Sequence, residues 1–301
     1  MYDVIIIGGG PAGLTAAVYC RRAGKTVLVI EKAAFGGQIT WSPRVENFPS
    51  VRSISGTELG DRLTSQAMDQ GAEVELDEVT EILDGPVKTV KTDSGAQFQA
   101  KAVILATGAK PRELGLPGEE GFIGNGECFC ATCDGAFFAG RPVAVNGGGN
   151  AALQDAVMLA EKCSKVYLIH RRAEFRGEEA LTEILKGKAN VEFVLESRIV
   201  SLNGSSELEG VTVENARGEK RDIAVEGLFV CVGREPVNGA FAKYLELDGA
   251  GYALSGEDCL TGTPGVFVAG DCRKKEVRQL TTAAADGSVA ALAACRYLDS
   301  L

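Results

Sequence analysis

The sequence contains one histidine, His170, and has 31 lysines and arginines against 41 aspartates and glutamates. Its formal net charge of −10 excludes the basic surface that attracts nucleic-acid phosphates or anionic membranes. No apolar run approaches the roughly 20 residues that span a bilayer. With one histidine and no second closely spaced cysteine pair, a four-ligand zinc site is also excluded. We therefore expect no nucleic-acid partner, no membrane partner and no metal.

We do not expect a secretory leader, because the apolar, β-branched segment Tyr2–Ile7 has no basic segment before it. The nine cysteines are an odd number, whereas exported disulfide frameworks usually have an even one. We expect a cytoplasmic protein in which most of these thiols are reduced.

Short apolar segments alternate with helical ones, which favours an α/β fold with buried parallel strands. At 301 residues the chain is expected to form about two domains. A strand, a glycine loop, a helix and a second strand follow each other twice, from Tyr2 and from Pro142. A late strand ending at Gly270-Asp271 belongs with the first of these folds. The sequence predicts two Rossmann-like, three-layer dinucleotide-binding domains, with the second (residues 113–238) inserted into the first (residues 1–112 and 239–301).

The first glycine loop directly follows the strand Tyr2–Ile7 and opens a helix. Its glycines permit the turn, the approach of the backbone to a pyrophosphate and close packing of the helix. The next strand ends at Glu31, which can accept hydrogen bonds from a ribose diol and disfavours a 2′-phosphate. FAD or NAD fits this pattern and NADP does not. The candidate residues are Gly8, Gly10, Pro11, Ala12, Gly13 and Glu31.

The second glycine loop differs from the first at the end of the following strand. That strand ends in His170-Arg171-Arg172, with Arg176 soon after, and no acidic residue occupies the ribose position. Guanidinium groups are suited to bidentate contact with phosphate. The pattern predicts a preference for NADPH over NADH, although a solvated basic patch is the alternative. The candidate residues are Gly147, Gly149, Asn150, His170, Arg171, Arg172 and Arg176.

Two cysteines between the loops, Cys130 and Cys133, are separated by two residues. A redox pair is the best interpretation, because this spacing lets two sulfurs bond across one short turn. Asp134 follows directly. Thiol–disulfide exchange needs a proton for the leaving thiolate, and no free histidine is available. Asp134 can supply it if partial burial keeps the carboxyl protonated; a turn or cap role is an equal alternative.

The remaining cysteines are expected to be structural, because free cysteine is commonly buried. Cys128 is more consistent with packing than with catalysis. The others are expected to lie singly in apolar or small-residue surroundings: Cys20, Cys163, Cys231, Cys259, Cys272 and Cys295.

Over nearly its whole length the chain resembles the low-molecular-weight, bacterial-type thioredoxin reductases of the FAD- and NADPH-dependent disulfide oxidoreductases. The motifs that carry the resemblance are Gly8-Gly-Gly-Pro-Ala-Gly13, Gly36-Gly-Gln38, Val45-Glu-Asn-Phe-Pro49, Ala106-Thr-Gly108, Cys130-Ala-Thr-Cys-Asp134, Gly147-Gly-Gly-Asn150, His170-Arg-Arg-x-x-x-Arg176, Gly270-Asp271 and Arg278-Gln279.

The resemblance implies an FAD domain built from both chain ends and an NADPH domain that carries the dithiol. It implies that Cys133 faces the flavin, that Cys130 attacks the disulfide of thioredoxin and that Asp134 is the acid. It also implies a homodimer and two alternating domain orientations, with hinges near residues 111–118 and 233–239. Further FAD contacts are implied at Gly37, Gln38, Asn47, Gly108, Gly270, Asp271, Arg278 and Gln279.

The function that follows is reduction of thioredoxin, or a related small redox protein, by NADPH through FAD and Cys130/Cys133. Two alternatives stay open: the same flavin–dithiol reductase fed by reduced ferredoxin or another donor, and a non-catalytic flavin-binding redox sensor. A reductase of a peroxide-reducing system is less expected, since such reductases usually carry an extra N-terminal thioredoxin-like domain. A ferredoxin–NADP reductase would lack the dithiol.

Overall fold

The computed structural model describes residues 1–301, which form a mixed α/β structure. Its strands are β1 Tyr2–Ile7, β2 Val27–Glu31, β3 Glu73–Leu76, β4 Val79–Leu83, β5 Lys88–Thr92, β6 Gln97–Leu105, β7 Ala109–Pro111, β8 Glu127–Cys128, β9 Pro142–Asn146, β10 Lys165–Ile169, β11 Val191–Val194, β12 Ser197–Gly204, β13 Leu208–Asn215, β14 Lys220–Ala224, β15 Gly227–Val230, β16 Arg234–Pro236 and β17 Val266–Val268.

The α-helices are α1 Pro11–Arg22, α2 Gly56–Asp69, α3 Ala131–Asp134, α4 Asn150–Ala160, α5 Glu179–Lys186 and α6 Leu280–Asp299. Short 3-10 helices cover Gly37–Trp41, Glu119–Gly121, Gly135–Phe138, Gly239–Tyr244 and Gly270–Cys272. None of the helices combines the length and the apolarity that a membrane span requires.

The chain divides into two compact units. The first comprises Met1–Lys110 and Glu235–Leu301, and the second comprises Pro111–Arg234. We call them the outer unit and the inner unit.

The outer unit is built on one seven-stranded sheet in the order β3-β2-β1-β6-β5-β4, with β17 also paired to β6. β1, β2, β3, β6 and β17 are parallel, whereas β4 and β5 form an antiparallel extension. In β1 the alternating side chains Val4 and Ile6 enter the core beside α1 and α6, while Ile5 and Ile7 enter the opposite core. A strand buried on both faces needs an uninterrupted apolar sequence, which explains the composition of β1.

The inner unit repeats this plan with a parallel sheet in the order β11-β10-β9-β15-β8. Val143 and Val145 of β9 enter the core formed with α4, whereas Ala144 enters the core beneath the antiparallel sheet β12-β13-β14. The inner unit is therefore also three-layered, with a helical layer and a small sheet on the two faces of its main sheet. In both units a glycine loop follows the first strand of the βαβ motif.

Candidate functional site

The first glycine loop joins β1 to α1 where there is no space for side chains. Gly8 has a φ of +110°, and a Cβ there would lie 2.2 Å from the carbonyl oxygen of Ala106. A Cβ on Gly13 would lie 1.9 Å from the carbonyl oxygen of Gly8. The first contact explains the turn and the second explains how α1 packs directly against the end of β1.

The N-terminus of α1 is open to a ligand. Its N-cap residue is Gly10, no side chain caps it, and Pro11 lies in the first turn. A Cβ on Gly10 would meet only the carbonyl oxygen of Gly36, at 4.0 Å. The free N–H groups of this turn and the positive end of the helix dipole suit a pyrophosphate.

Glu31 ends β2 and its carboxylate folds back towards the loop. Oε2 accepts a hydrogen bond from the Gly9 N–H at 2.7 Å, and Oε1 accepts one from the Ala33 N–H at 2.9 Å. These two bonds fix a negative charge beside the glycine loop. A carboxylate held in this way can accept hydrogen bonds from ribose hydroxyls and repels a 2′-phosphate.

Several of the predicted FAD residues come from segments distant in sequence that close around this loop. A Cβ on Gly37 would lie 3.1 Å from the Gly10 Cα, and a Cβ on Gly270 would lie 2.9 Å from the Ala12 Cβ. These glycines therefore allow two separate segments to touch the loop and the first turn of α1.

The polar candidates of the outer unit are held by neighbouring groups. Gln38 donates from Nε2 to the Ala109 carbonyl oxygen at 2.8 Å. Asn47 donates from Nδ2 to Gln279 Oε1 at 3.4 Å. Gln279 is also the N-cap of α6, in a reciprocal capping box with Thr282. The structure thus brings Asn47 and Gln279 together.

Arg278 and Asp271 are also neighbours. The Arg278 guanidinium lies 4.1 Å from the centre of the Tyr252 ring and donates from Nε to the Asp271 carbonyl oxygen at 3.3 Å. Gly108, another candidate, has a φ of +71°, and its carbonyl oxygen accepts a hydrogen bond from the Val237 N–H at 3.0 Å.

Asp286 on α6 anchors the Gly270 segment, and sequence reasoning missed it. Its Oδ2 accepts from the Gly270 N–H at 2.9 Å and from Lys275 Nζ at 2.6 Å, while Oδ1 pairs with Arg273 at 2.8 Å. The side chains of all three ionic partners are mostly buried. A single aspartate within a run of small residues gave no sequence signal for this role.

The second glycine loop joins β9 to α4 with the same geometry. A Cβ on Gly147 would lie 2.5 Å from the Cys231 carbonyl oxygen and 2.7 Å from the Ala152 Cβ. Gly149 is the N-cap of α4, again without a side-chain cap, and a Cβ there would meet no atom within 4 Å. This helix N-terminus is therefore also free to receive a phosphate. Asn150 begins α4 and exchanges hydrogen bonds with Glu178.

Three arginines follow β10 beside this loop. The Arg176 N–H donates to the Gly148 carbonyl oxygen at 2.7 Å, which fixes the segment against the loop. Arg171, Arg172 and Arg176 are exposed, and none of them forms an ion pair in this structure. Unpaired guanidinium groups next to a glycine loop are suited to a phosphate monoester.

His170 has a different environment from these arginines. It is 5% exposed, its ring stacks on Phe175 with the ring centres 5.3 Å apart, and a Cβ on Gly148 would lie 2.2 Å from it. Burial and the neighbouring arginines lower the pKa of His170, although a hydrogen bond to the Glu174 backbone opposes them. In this position the ring packs beneath the loop as a neutral group.

Cys130 and Cys133 form a disulfide with their Cα atoms 5.3 Å apart. Cys130 is the N-cap of α3, and its Sγ accepts a hydrogen bond from the Cys133 N–H at 3.2 Å. Both cysteines and Asp134 are half-buried. We call residues 130–134 the redox turn, because a disulfide within a single turn can open and close with little movement of the backbone.

A carboxylate from α4 holds this turn, and it was not predicted. Asp155 accepts a hydrogen bond from the Ala131 N–H, between the two cysteines. It also accepts one from the Cys231 thiol, with Sγ and Oδ2 3.2 Å apart. Burial raises the pKa of Asp155, and the two hydrogen bonds oppose that shift. Arg234 supports the same region by donating to the Phe129 carbonyl oxygen at 3.4 Å.

Cys128 is buried in β8 beside the redox turn. Burial raises the pKa of this thiol, and the negative charge of the nearby Asp134 carboxylate raises it further. Cys128 is therefore buried, as expected for a packing residue, and lies close to Asp134.

A family model described as pyridine nucleotide-disulphide oxidoreductase matches residues 2–287. The chain belongs to this family. A thioredoxin reductase from Listeria monocytogenes is 38% identical over 303 residues, which cover 100% of this chain and 95% of that protein. A bifunctional thioredoxin reductase/thioredoxin from Mycobacterium leprae is 40% identical over 302 residues, covering 99% of this chain but only 66% of that protein.

A solved structure gives the same assignment. The thioredoxin reductase from Streptococcus pyogenes is 38% identical in sequence and superimposes with a TM-score of 0.93. The superposition covers 100% of this chain and 99% of that one. The predicted α/β fold of the pyridine nucleotide-disulphide oxidoreductases and the predicted family are therefore confirmed.

Proposed function

We propose that this chain is a thioredoxin-disulfide reductase. It takes electrons from NADPH, passes them through FAD to the Cys130/Cys133 pair, and delivers them to oxidised thioredoxin or a related small redox protein. The observation that carries the proposal is the disulfide of the redox turn, which lies in the same unit as an uncapped glycine loop flanked by three unpaired arginines.

The outer unit fits FAD. The Gly10 N–H region and the first turn of α1 would hold the pyrophosphate, and Glu31 would accept hydrogen bonds from the ribose. The remaining candidates border the same loop or one another, as described above, and would complete the site: Gly37, Gln38, Asn47, Gly108, Gly270, Asp271, Arg278 and Gln279. When both groups are bound, the nicotinamide supplies hydride and the flavin supplies two-electron transfer to a disulfide.

The inner unit fits NADPH better than NADH. The open N-terminus of α4 at Gly149 would hold the pyrophosphate. Arg171, Arg172 and Arg176 have no carboxylate partner to surrender before they bind a 2′-phosphate. His170 would contribute as the packed support of Gly148 rather than as a charged ligand.

Reduction of the target proceeds by thiol–disulfide exchange once the redox turn holds two thiols. The Cys130 thiolate attacks one target sulfur, so that a mixed disulfide forms and the other target sulfur leaves as a thiolate. Cys133 then attacks Cys130, which releases the second target thiolate and re-forms the bond between Cys130 and Cys133. Two electrons pass to the target and the redox turn is oxidised.

The leaving thiolates need protons, and Asp134 is the acidic group adjacent to the pair in the chain. The Asp134 carboxylate lies close enough to the Cys128 thiol to raise its pKa, and in this proposal Asp134 supplies those protons. Asp155 meanwhile holds Ala131, so that the two cysteines keep their separation when the disulfide is open.

Three further features belong to the proposal. The partner is a thioredoxin-like protein, the active form is a homodimer, and the enzyme works in the cytoplasm, where thiols are maintained in the reduced state. The acidic net charge of the chain is consistent with the expected absence of nucleic-acid and lipid partners.

Cys130→Ser and Cys133→Ser test the proposal. Each variant is expected to retain FAD and to oxidise NADPH with an artificial electron acceptor, but to lose reduction of thioredoxin disulfide, because exchange needs both sulfurs. Cys163→Ala is the matched control, since Cys163 is a buried thiol of the inner unit outside the redox turn. Thioredoxin reduction that survives both serine substitutions would refute the mechanism, and loss of NADPH oxidation in both would place the defect in cofactor binding.

A further inference from the structure

The two ends of the outer unit meet along α1 and α6. α1 follows β1, and α6 follows β17; both strands are parallel to β6. Helices that return over one face of a sheet from parallel strands run in the same direction. The helices touch at their backbones, because a Cβ on Gly287 would lie 2.1 Å from the Ala12 carbonyl oxygen.

From this backbone contact the two helices carry cysteines at the same distance. Cys20 follows Ala12 by eight residues, and Cys295 follows Gly287 by eight residues. Eight residues advance about 12 Å along an α-helix, so parallel helices place the two side chains at the same level. Cys20 Sγ indeed lies 4.0 Å from the Ala291 carbonyl oxygen, one helical turn before Cys295.

The two side chains lie in the same buried cluster, and each thiol shifts the pKa of the other. Cys20 is fully buried and Cys295 is 6% exposed. Both cysteines are buried, as expected for core thiols. Their proximity was not predicted, because Cys20 and Cys295 lie at opposite ends of the chain and nothing in either local sequence indicates the other.

The two thiols of this pair differ in pKa. The neighbouring Cys20 thiol lowers the pKa of Cys295 to about 7, assisted by the ammonium group of Lys25 and opposed by burial, Asp299 and Asp3. The Cys295 thiol, together with burial, raises the pKa of Cys20. Of the two thiols, Cys295 is thus the one that ionises more readily, and a thiolate is the better nucleophile.

We propose that Cys20 and Cys295 are a second redox pair, which a hydroperoxide oxidises to a disulfide that ties α1 to α6. The Cys295 thiolate attacks the O–O bond, forming a sulfenic acid and releasing the alcohol or water. The Cys20 sulfur then attacks the Cys295 sulfur, an S–S bond forms and water leaves. The two thiols lose two electrons in total, and one hydroperoxide accepts them.

Cys295 is buried, so the oxidant would reach it through local opening of the structure. It lies in the last turns of α6, which ends at Asp299, and helix ends open more readily than helix centres. The bond would connect the two chain segments from which the outer unit is made. A link that closes a loop of nearly the whole chain restricts the unfolded state strongly. This pair is independent of the redox turn and of the proposed function.

Peptide mapping tests the proposal directly. The full-length holoprotein is treated with hydrogen peroxide, denatured under acid, alkylated and digested without reductant. A peptide pair linked through Cys20 and Cys295 is expected in the wild type, and it should be absent from Cys20→Ala and from Cys295→Ala. Cys163→Ala, at another buried thiol, should still give the link. Complete alkylation of Cys20 and Cys295 after peroxide treatment would overturn the proposal.

Thermal unfolding supplies a second test that does not depend on peptide mapping. Peroxide treatment should raise the unfolding temperature of the wild-type outer unit by about 5–10 °C, and dithiothreitol should reverse the increase. The same treatment should leave Cys20→Ala unchanged. An unfolding temperature that peroxide does not raise, or that rises equally in Cys20→Ala, would contradict a stabilising link between α1 and α6.

Discussion

The first and second glycine loops share their backbone geometry and differ at the end of the strand that follows. Both leave a helix N-terminus without a side-chain cap, at Gly10 and at Gly149. Beside the first loop, Glu31 fixes a negative charge through two backbone hydrogen bonds. Beside the second, the exposed Arg171 and its neighbours supply unpaired positive charge.

We infer from this difference that the fold would provide a pyrophosphate site and that the end of the following strand would select the nucleotide. The loops also differ in tightness. Gly13 has a backbone oxygen where a Cβ would be, whereas the equivalent Ala152 carries its methyl group in a packed core. Substitutions that exchange or remove these differences test the comparison between the two loops.

Exchanging the third loop residue should break the first site and spare the second. In Gly13→Ala the new Cβ would lie 1.9 Å from the Gly8 carbonyl oxygen, so α1 must shift. We expect the free energy of unfolding to fall by about 3 kcal/mol and bound flavin to be lost. Ala152→Gly should cost only about 1 kcal/mol. Denaturant unfolding measures the free energy of unfolding, and the flavin-to-protein absorbance ratio measures the bound flavin. If Gly13→Ala and Ala152→Gly lost equal amounts of stability and of flavin, the two loops would not differ in packing.

Removing the positive charge should abolish the discrimination between NADPH and NADH. Charge-assisted hydrogen bonds from guanidinium to phosphate contribute about 3 kcal/mol in total. The combined substitution of Arg171, Arg172 and Arg176 by Gln should therefore raise the KM for NADPH about 100-fold, with the KM for NADH nearly unchanged. Arg217→Gln, at an exposed arginine of the same unit, is the control. An equal rise for both nucleotides would mean that the arginines do not contact the 2′-phosphate.

Removing the negative charge should weaken the first site without unfolding it. Glu31→Ala removes the acceptor of the Gly9 N–H and of a ribose hydroxyl, and each of these hydrogen bonds contributes about 1.5 kcal/mol. Because only the second bond is made to FAD, we expect the affinity for FAD to fall about 10-fold, measured by flavin release on dilution. Glu31→Gln keeps an acceptor oxygen, and its affinity for FAD should fall less. Unaltered FAD affinity in Glu31→Ala would exclude the ribose role.

The two units should also differ in their response to pH. In the outer unit, backbone and side-chain hydrogen bonds lower the pKa of Asp3 and Asp77. In the inner unit, burial and then the neighbouring Glu119 carboxylate raise the pKa of Glu127 from 4.5 to about 9. Glu119 itself accepts from the Leu114 and Leu116 N–H groups at 2.6 and 2.9 Å. A protonated Glu127 can donate to Glu119, whereas an ionised one would place two negative charges in a buried site.

Since the folded-state pKa of Glu127 is raised, its contribution to stability is complete below pH 4.5 and is lost as the pH rises to about 9. The loss is at most about 1.4 kcal/mol per pH unit. Glu127→Gln should flatten this dependence in urea unfolding between pH 5 and 9, and should be more stable than the wild type at pH 9. Glu207→Gln, at an exposed glutamate of the same unit, should follow the wild type. If the free energy of unfolding of Glu127→Gln depended on pH as steeply as that of the wild type, other groups would be responsible for the dependence.

The fold followed largely from local patterns. The apolar strand Tyr2–Ile7 and its glycine loop occur as predicted, because a buried parallel strand and a tight turn both restrict sequence strongly. The pairing of Cys130 with Cys133 was also predictable, since only two residues separate them.

Contacts between distant segments were not predictable. Asp155 looks like an ordinary polar residue of a helix, yet it holds Ala131. Glu119 and Glu127 become a buried pair only because a 3-10 turn folds onto β8. The contact of Cys20 with Cys295 depends on the relative height of two helices at opposite ends of the chain. Each of these depends on tertiary packing, which no short sequence pattern encodes.

The most direct test of the proposed electron path is an anaerobic titration of the FAD-loaded protein with NADPH and, separately, with NADH, following the flavin absorbance. The account predicts rapid bleaching by NADPH, with two equivalents consumed per chain because the flavin and the Cys130/Cys133 disulfide each take two electrons, and slow or no bleaching by NADH. Bleaching by neither nucleotide would contradict the assignment of the arginines and would make reduced ferredoxin or another carrier the electron donor.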